Sequence, residues 1–116
     1  MISSINNSLS ALNAFGTSLD VRANNVANVN SENFKKSRAI NIEGENGEVR
    51  TDIIKIDEDS INPSVSQEDV SEAQPSNVDL AEEIPGTIID ERGYQANLKI
   101  IQTKDEMIGS VLDIIA

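Results

Sequence analysis

A seven-residue repeat governs the last third of the chain. Ile84, Glu91, Leu98, Asp105 and Leu112 stand seven apart, and Tyr94, Ile101, Ile108 and Ile115 form a second row three residues on. Spacing of this kind, with offsets of three and four, is the seam of a coiled coil. From Leu98 onward only Asp105 interrupts the apolar seam. A helix over Asp79 to Ile115 is about 55 Å long at the α-helical rise. It is too long and too thin to bury its own apolar face, so it needs a partner.

The first thirty residues carry a matching pattern. Ile2, Leu9, Gly16, Ala23 and Asn30 form one row, and Ile5, Leu12, Leu19 and Val26 the other. A helix is expected from near Ile2 to about Val29. Gly16 and Ala23 are small enough to let a neighbouring backbone approach. Periodicity identifies these sticky faces but leaves open whether the partner is the same chain or another copy. Asn24, Asn25, Asn28 and Asn30 cluster at the end of this helix. Asn competes for backbone hydrogen bonds and tolerates the left-handed region, so the cluster reads either as a helix terminus or as a set of amides that cross-link packed helices.

Composition narrows the chemistry. The 116 residues contain no Cys, no His and no Trp, with one Tyr and two Phe. A chain this short with so few aromatics builds only a thin core. Disulfides, thiol catalysis, Cys-type zinc clusters and the commonest general base are all removed. Catalysis would fall to paired carboxylates, which need a rigid frame. The acidic residues crowd instead into a Pro/Ser-rich stretch, so neither an enzyme nor a cofactor is expected. No apolar run approaches a membrane span. Met1 to Leu12 lacks the basic start of a secretory signal, which implies another route if the protein leaves the cytoplasm.

Charge is unevenly spread. Residues 1–38 hold four basic and two acidic residues, whereas residues 39–83 hold two basic and thirteen acidic. The net charge of −11 argues against nucleic acid as a partner. The acidic middle is expected to face water.

Four segments follow, at 1–34, 35–56, 57–77 and 78–116. The first is the N-terminal helix with its Asn-rich end. In the second, Asn46-Gly47 lies between two β-prone runs, which predicts a β-hairpin with strands near Arg38–Ile42 and Val49–Ile56. Two strands alone are marginal in water and must lean on something. The third is an acidic linker with Pro63 and Pro75. Its Asp57-Glu58-Asp59 run does not continue as a calcium loop, because Ile61 and Asn62 stand where an oxygen ligand and Gly are required. The fourth is the C-terminal helix, where Asp79 with Glu82 fits a capping box. Pro85 predicts a kink or restart. Gly93 costs about 1 kcal/mol relative to Ala, which implies a packing neighbour that needs the room. The expected fold class is mainly α, with two long terminal helices forming a coiled-coil hairpin and a short β-hairpin and acidic linker between them.

Two stretches resemble a known family. Asn24-Asn25-Val26-Ala27-Asn28-Val29-Asn30-Ser31, followed by Asn33-Phe34-Lys35, is similar to the N-terminal signature of bacterial flagellar rod and hook proteins. Ser76-Asn77-Val78-Asp79-Leu80-Ala81-Glu82-Glu83 and Arg92-Gly93-Tyr94-Gln95-Ala96-Asn97 resemble its C-terminal signature. The middle is short and lacks the large outer β-domain of the hook and distal rod members, which points to the small proximal-rod type. Asp90-Glu91 stands where an Ala-Gln pair is common and puts charge on the seam.

The resemblance implies an axial structural subunit of the basal-body rod. Such a subunit is exported through the flagellar type III apparatus without a cleaved signal peptide. Its expected partners are copies of itself and other rod or hook subunits. Seam positions Ile5, Leu9, Leu12, Leu19, Val26, Leu98, Ile101, Ile108, Leu112 and Ile115 are the expected assembly residues. Asn25, Asn28, Arg92, Tyr94 and Asn97 join them through the two signatures. The other reading is a helical-hairpin adapter or cap that binds a flagellar or secretion component without polymerising.

Overall fold

The computed structural model describes residues 2–57 and 73–115. Helix α1 spans Ile2–Ala27, strand β1 Ser37–Glu43, strand β2 Val49–Lys55 and helix α2 Leu80–Ile115. The fold is mainly helical, as the two seven-residue patterns predict. It is long and thin, measuring 76 × 28 × 16 Å. Most of the acidic linker, including the rejected calcium loop beyond Asp57, lies outside the described residues.

The helices run antiparallel. Arg22 meets Asp90, and Lys104 Nζ donates to Ser4 Oγ at 2.6 Å near the other end of the pair. Helix α1 therefore begins at about the level of Lys104. Helix α2 is ten residues longer and continues past it.

The start of α2 departs from the expected capping box in one arm. Asp79 Oδ1 accepts from the Ala81 N–H at 2.9 Å, which satisfies one of the orphan donors of the first turn. Glu82 does not reach back. Its carboxylate goes to Lys36 Nζ, at 2.7 Å, and to the Arg38 guanidinium.

The restart expected at Pro85 does not occur, and α2 runs unbroken through it. Pro85 lies in the second turn, where its missing N–H frees only the Ala81 carbonyl. Both residues are exposed, so water can satisfy that group.

The two strands pair antiparallel in the register Ser37↔Lys55 to Glu43↔Val49. Gly47, at φ 75°, closes the loop. Its N–H donates to Gly44 O at 3.1 Å and Gly44 N–H to Glu48 O at 2.7 Å, a three-residue loop with Gly in the left-handed position. The hairpin lies along α1. At its tip Asn7 Nδ2 donates to Asn46 O and Val49 N–H to Ser10 Oγ, and at its base Ser37 meets Asn25. Ser37, Ala39, Val49 and Thr51 are half-buried, while Ile40, Ile42 and Ile54 on the opposite face are exposed.

The chain between α1 and the hairpin is tied to the segment entering α2. Asn33 adopts φ 60°, which Asn tolerates, and its N–H donates to Gln74 O at 2.7 Å. Asn77 then bridges both ends of the hairpin. Its Oδ1 accepts from Lys36 N–H at 2.6 Å and its Nδ2 donates to Ile56 O at 2.9 Å.

Candidate assembly interface

The interior between the helices is more polar than the seven-residue rows suggest. Among the described residues the buried apolar side chains are Leu12, Ala14 and Val21, and beside them Ser8, Ser18, Asn25, Glu83 and Asp90 are also buried. Glu83, Gly86 and Asp90 share one face of α2 by their spacing of three and four. Arg22 reaches across from α1. Its Nε donates to Asp90 Oδ2 at 2.8 Å and its Nη1 to Glu83 Oε2 at 3.2 Å. Burial works against the Arg22 charge, but the hydrogen bond and charge of Asp90, followed by those of Glu83, outweigh it and hold its pKa above the ordinary value. Gly86 supplies the space, since a Cβ there would overlap the guanidinium. The charge that the sequence places on the seam at Asp90 is thus paired within the chain, by a guanidinium shared with Glu83.

Asn25 completes the lock and is 1% exposed. Its Nδ2 donates to Ser37 O at 2.8 Å and to Glu83 Oε1 at 3.1 Å, while its Oδ1 accepts from Ser37 N–H at 3.0 Å. One amide therefore joins α1, the hairpin and α2. Its neighbours behave differently: Asn28 Nδ2 donates to Asn24 O and Oδ1 and finishes the helix. Both readings of the Asn cluster hold, for different residues.

Within the chain no close approach is made at Gly16. Nothing lies within 4 Å of the Cβ it would carry, and Ala23 is exposed. The approach occurs instead at Gly86 and Gly93, where the Phe15 ring occupies the space of a Gly93 side chain. The reason is rotational. Helix α1 turns Ser8, Ser18 and Asn25 inward, and much of its apolar pattern falls to the side.

The seam positions are accordingly split. Leu12 is buried; Ile5, Leu19 and Ile101 are half-buried; Leu9 is 52% exposed, and Val26 and Leu98 are also exposed. Tyr94 and Asn97 are half-buried, with Asn97 Nδ2 bonded to Gly93 O, and Arg92 is exposed.

Two apolar surfaces remain open. Leu19, Ala23, Val26, Ile84 and Ile88 line a groove beside the helix pair, near the start of α2. At the other end, where α2 passes α1, Met107, Ile108, Val111, Leu112, Ile114 and Ile115 are exposed, Ile114 by 81%. This apolar patch is on the order of several hundred Å², which marks an interaction surface more often than bare surface. Sequence reasoning found Ile108, Leu112 and Ile115 in it. It missed Met107, Val111 and Ile114, which widen the stripe beyond two rows and were legible as apolar residues within one turn of them.

The described residues contain no cluster of acidic side chains placed to hold a metal, and no described helix is long and apolar enough to cross a membrane. Comparison with curated proteins gives no match. Two family models do match. Residues 5–35 match the flagella basal body rod protein model, and residues 74–114 match the model for the C-terminal part of flagellar basal body rod FlgEFG proteins. The first covers most of α1 with the Asn-rich turn, the second the Asn77 tie and nearly all of α2, in the order the two signatures require. The chain belongs to the flagellar basal-body rod protein family.

Proposed function

We propose that this protein is an axial subunit of the flagellar rod that polymerises through its terminal helices after passage through the type III export apparatus. Family membership supports the structural role and a place in the basal body. The finer reading rests on one observation: the last turns of α2 carry a broad apolar stripe that no other part of the described chain covers. A helix end of this kind gains most when a neighbouring subunit removes it from water. The short hairpin, which lacks the bulk of an outer domain, fits the proximal part of the rod.

The test is sedimentation with circular dichroism as concentration rises. Large species, with helicity rising in step, are expected for the native chain. They should be lost in Leu112→Asp, which puts a charge in the stripe. Equal assembly by the two chains defeats the reading. A non-polymerising adapter is the second reading, favoured by the Arg22–Glu83–Asp90 lock, which closes the helix pair within one chain. It predicts a helical monomer or small complex that does not grow.

A further inference from the structure

We propose that the projecting end of α2 seats in the Leu19–Ile88 groove of a second copy, so that copies join head to tail. The inference rests on the assembly reading above and names the two surfaces that meet.

Three observations carry it. The first is length. The α1 wall of the groove runs from Leu19 to Ala27, and the projecting end from Met107 to Ile115. Both are nine-residue helical stretches, about 12 Å from first to last residue. The second is continuity. Ile101 is half-buried where the helices still lie side by side, and Ile108 and Ile115 continue its row after α1 has stopped. The seam within the chain thus runs on into an unpaired one. The third is placement. Val26 lies near the level of Glu82, thirty residues of helix from Leu112, or about 45 Å. The two surfaces cannot meet in one chain. They do meet when a copy is shifted along the helix axis without being turned over. Such a contact is heterologous and does not close, so it repeats.

The contact has an electrostatic signature. Asp20 rims the groove, and Asp105, Glu106 and Asp113 flank the projecting end. Like charges face each other around an apolar centre, so added salt strengthens the contact by screening.

The chain has no cysteine, so introduced thiols are the only ones present. Val26→Cys and Leu112→Cys chains are mixed at a concentration that yields large species and treated with a short thiol-to-thiol reagent. The expected product is a mixed dimer that links residue 26 to residue 112, with little cross-linking of either variant alone. A chain that carries both substitutions should give a ladder of multimers. Leu112→Cys chains that couple mainly to each other would place two ends together and overturn the proposal. So would large species without the mixed link. Absence of large species from the native chain at any concentration would instead defeat the assembly reading itself. As a check that needs no thiol, Ile88→Asp should raise the concentration required for assembly at least tenfold, with native helicity once assembled. Unchanged assembly would count against the groove.

Discussion

The ring of Phe15 stands where a side chain at Gly93 would begin. A Cβ on α2 at this point would overlap three atoms of the ring, so the ring holds this place only because position 93 is Gly. In an isolated helix Gly93→Ala would gain about 1 kcal/mol. In this pair it forces the ring or the helix aside, with an overpacking cost of about 1–3 kcal/mol. We expect Gly93→Ala to lower the thermal midpoint, and Phe15→Leu to relieve much of that loss when combined with it. A double-mutant cycle by chemical denaturation measures the coupling.

Arg22→Ala leaves the Glu83 and Asp90 carboxylates buried without their cation. Breaking a fully buried pair in this way costs about 3–5 kcal/mol. The Arg22 side chain is 29% exposed and Glu83 keeps its bond from Asn25, so the loss should fall at or below the low end of that range. Arg22→Lys should recover little of it, because a single ammonium does not reproduce the fork that reaches both carboxylates. Urea midpoints of the two variants check this.

Asn25→Ala removes the joint between α1, the hairpin and α2. Each buried partner left unpaired costs about 1–3 kcal/mol. The Ser37 N–H and C=O both lose their contacts to the amide, so the hairpin base should loosen first. Hydrogen exchange at Ser37 should accelerate more than exchange in the middle of α2.

Glu82 sets an acid limb. The hydrogen bond from Lys36 lowers its pKa most; burial, the next largest effect, opposes it, and the charges of Lys36 and Arg38 with the Arg38 hydrogen bond carry the balance downward. A carboxyl whose folded pKa is depressed stabilises the fold above its unfolded pKa and loses that contribution as pH falls through the folded value. Glu82→Gln should therefore reduce stability at neutral pH and leave it nearly unchanged at low pH. The difference between the two melting curves against pH should close below the usual carboxylate range.

Much of this architecture is legible in the residues. Seven-residue spacing yields both helices, Asn46-Gly47 yields the hairpin loop, Asp79 yields a helix start, and the cost of Gly93 foretells a close neighbour. The pairing faces are not legible in the same way. Hydrophobic spacing finds surfaces that avoid water, whereas the helices here meet largely through Arg22, Asn25, Glu83 and Asp90, with glycines that permit the approach. Polar side chains at those positions look like solvent-facing residues until their partners, about sixty residues away, are in place. Glu82 shows the same limit. As a sequence pattern it belongs to the cap of its own helix, but Lys36 and Arg38 compete for it with full charges. The restart foretold by Pro85 does not come because the cost depends on which carbonyl loses its donor, and here that is Ala81, which is exposed to water.

The polar seam also has a thermal consequence. Unfolding raises heat capacity mainly by exposing apolar surface, while exposed polar surface lowers it. With Leu12, Ala14 and Val21 as the buried apolar side chains among the described residues, and charged and amide groups between the helices, the heat-capacity increment of the isolated chain should fall below the usual ~12–15 cal/mol/K per residue. A small increment gives a flat stability curve. The lone chain would then be neither strongly favoured at its best temperature nor rapidly lost on cooling, and temperature would act chiefly on whatever covers its exposed apolar ends.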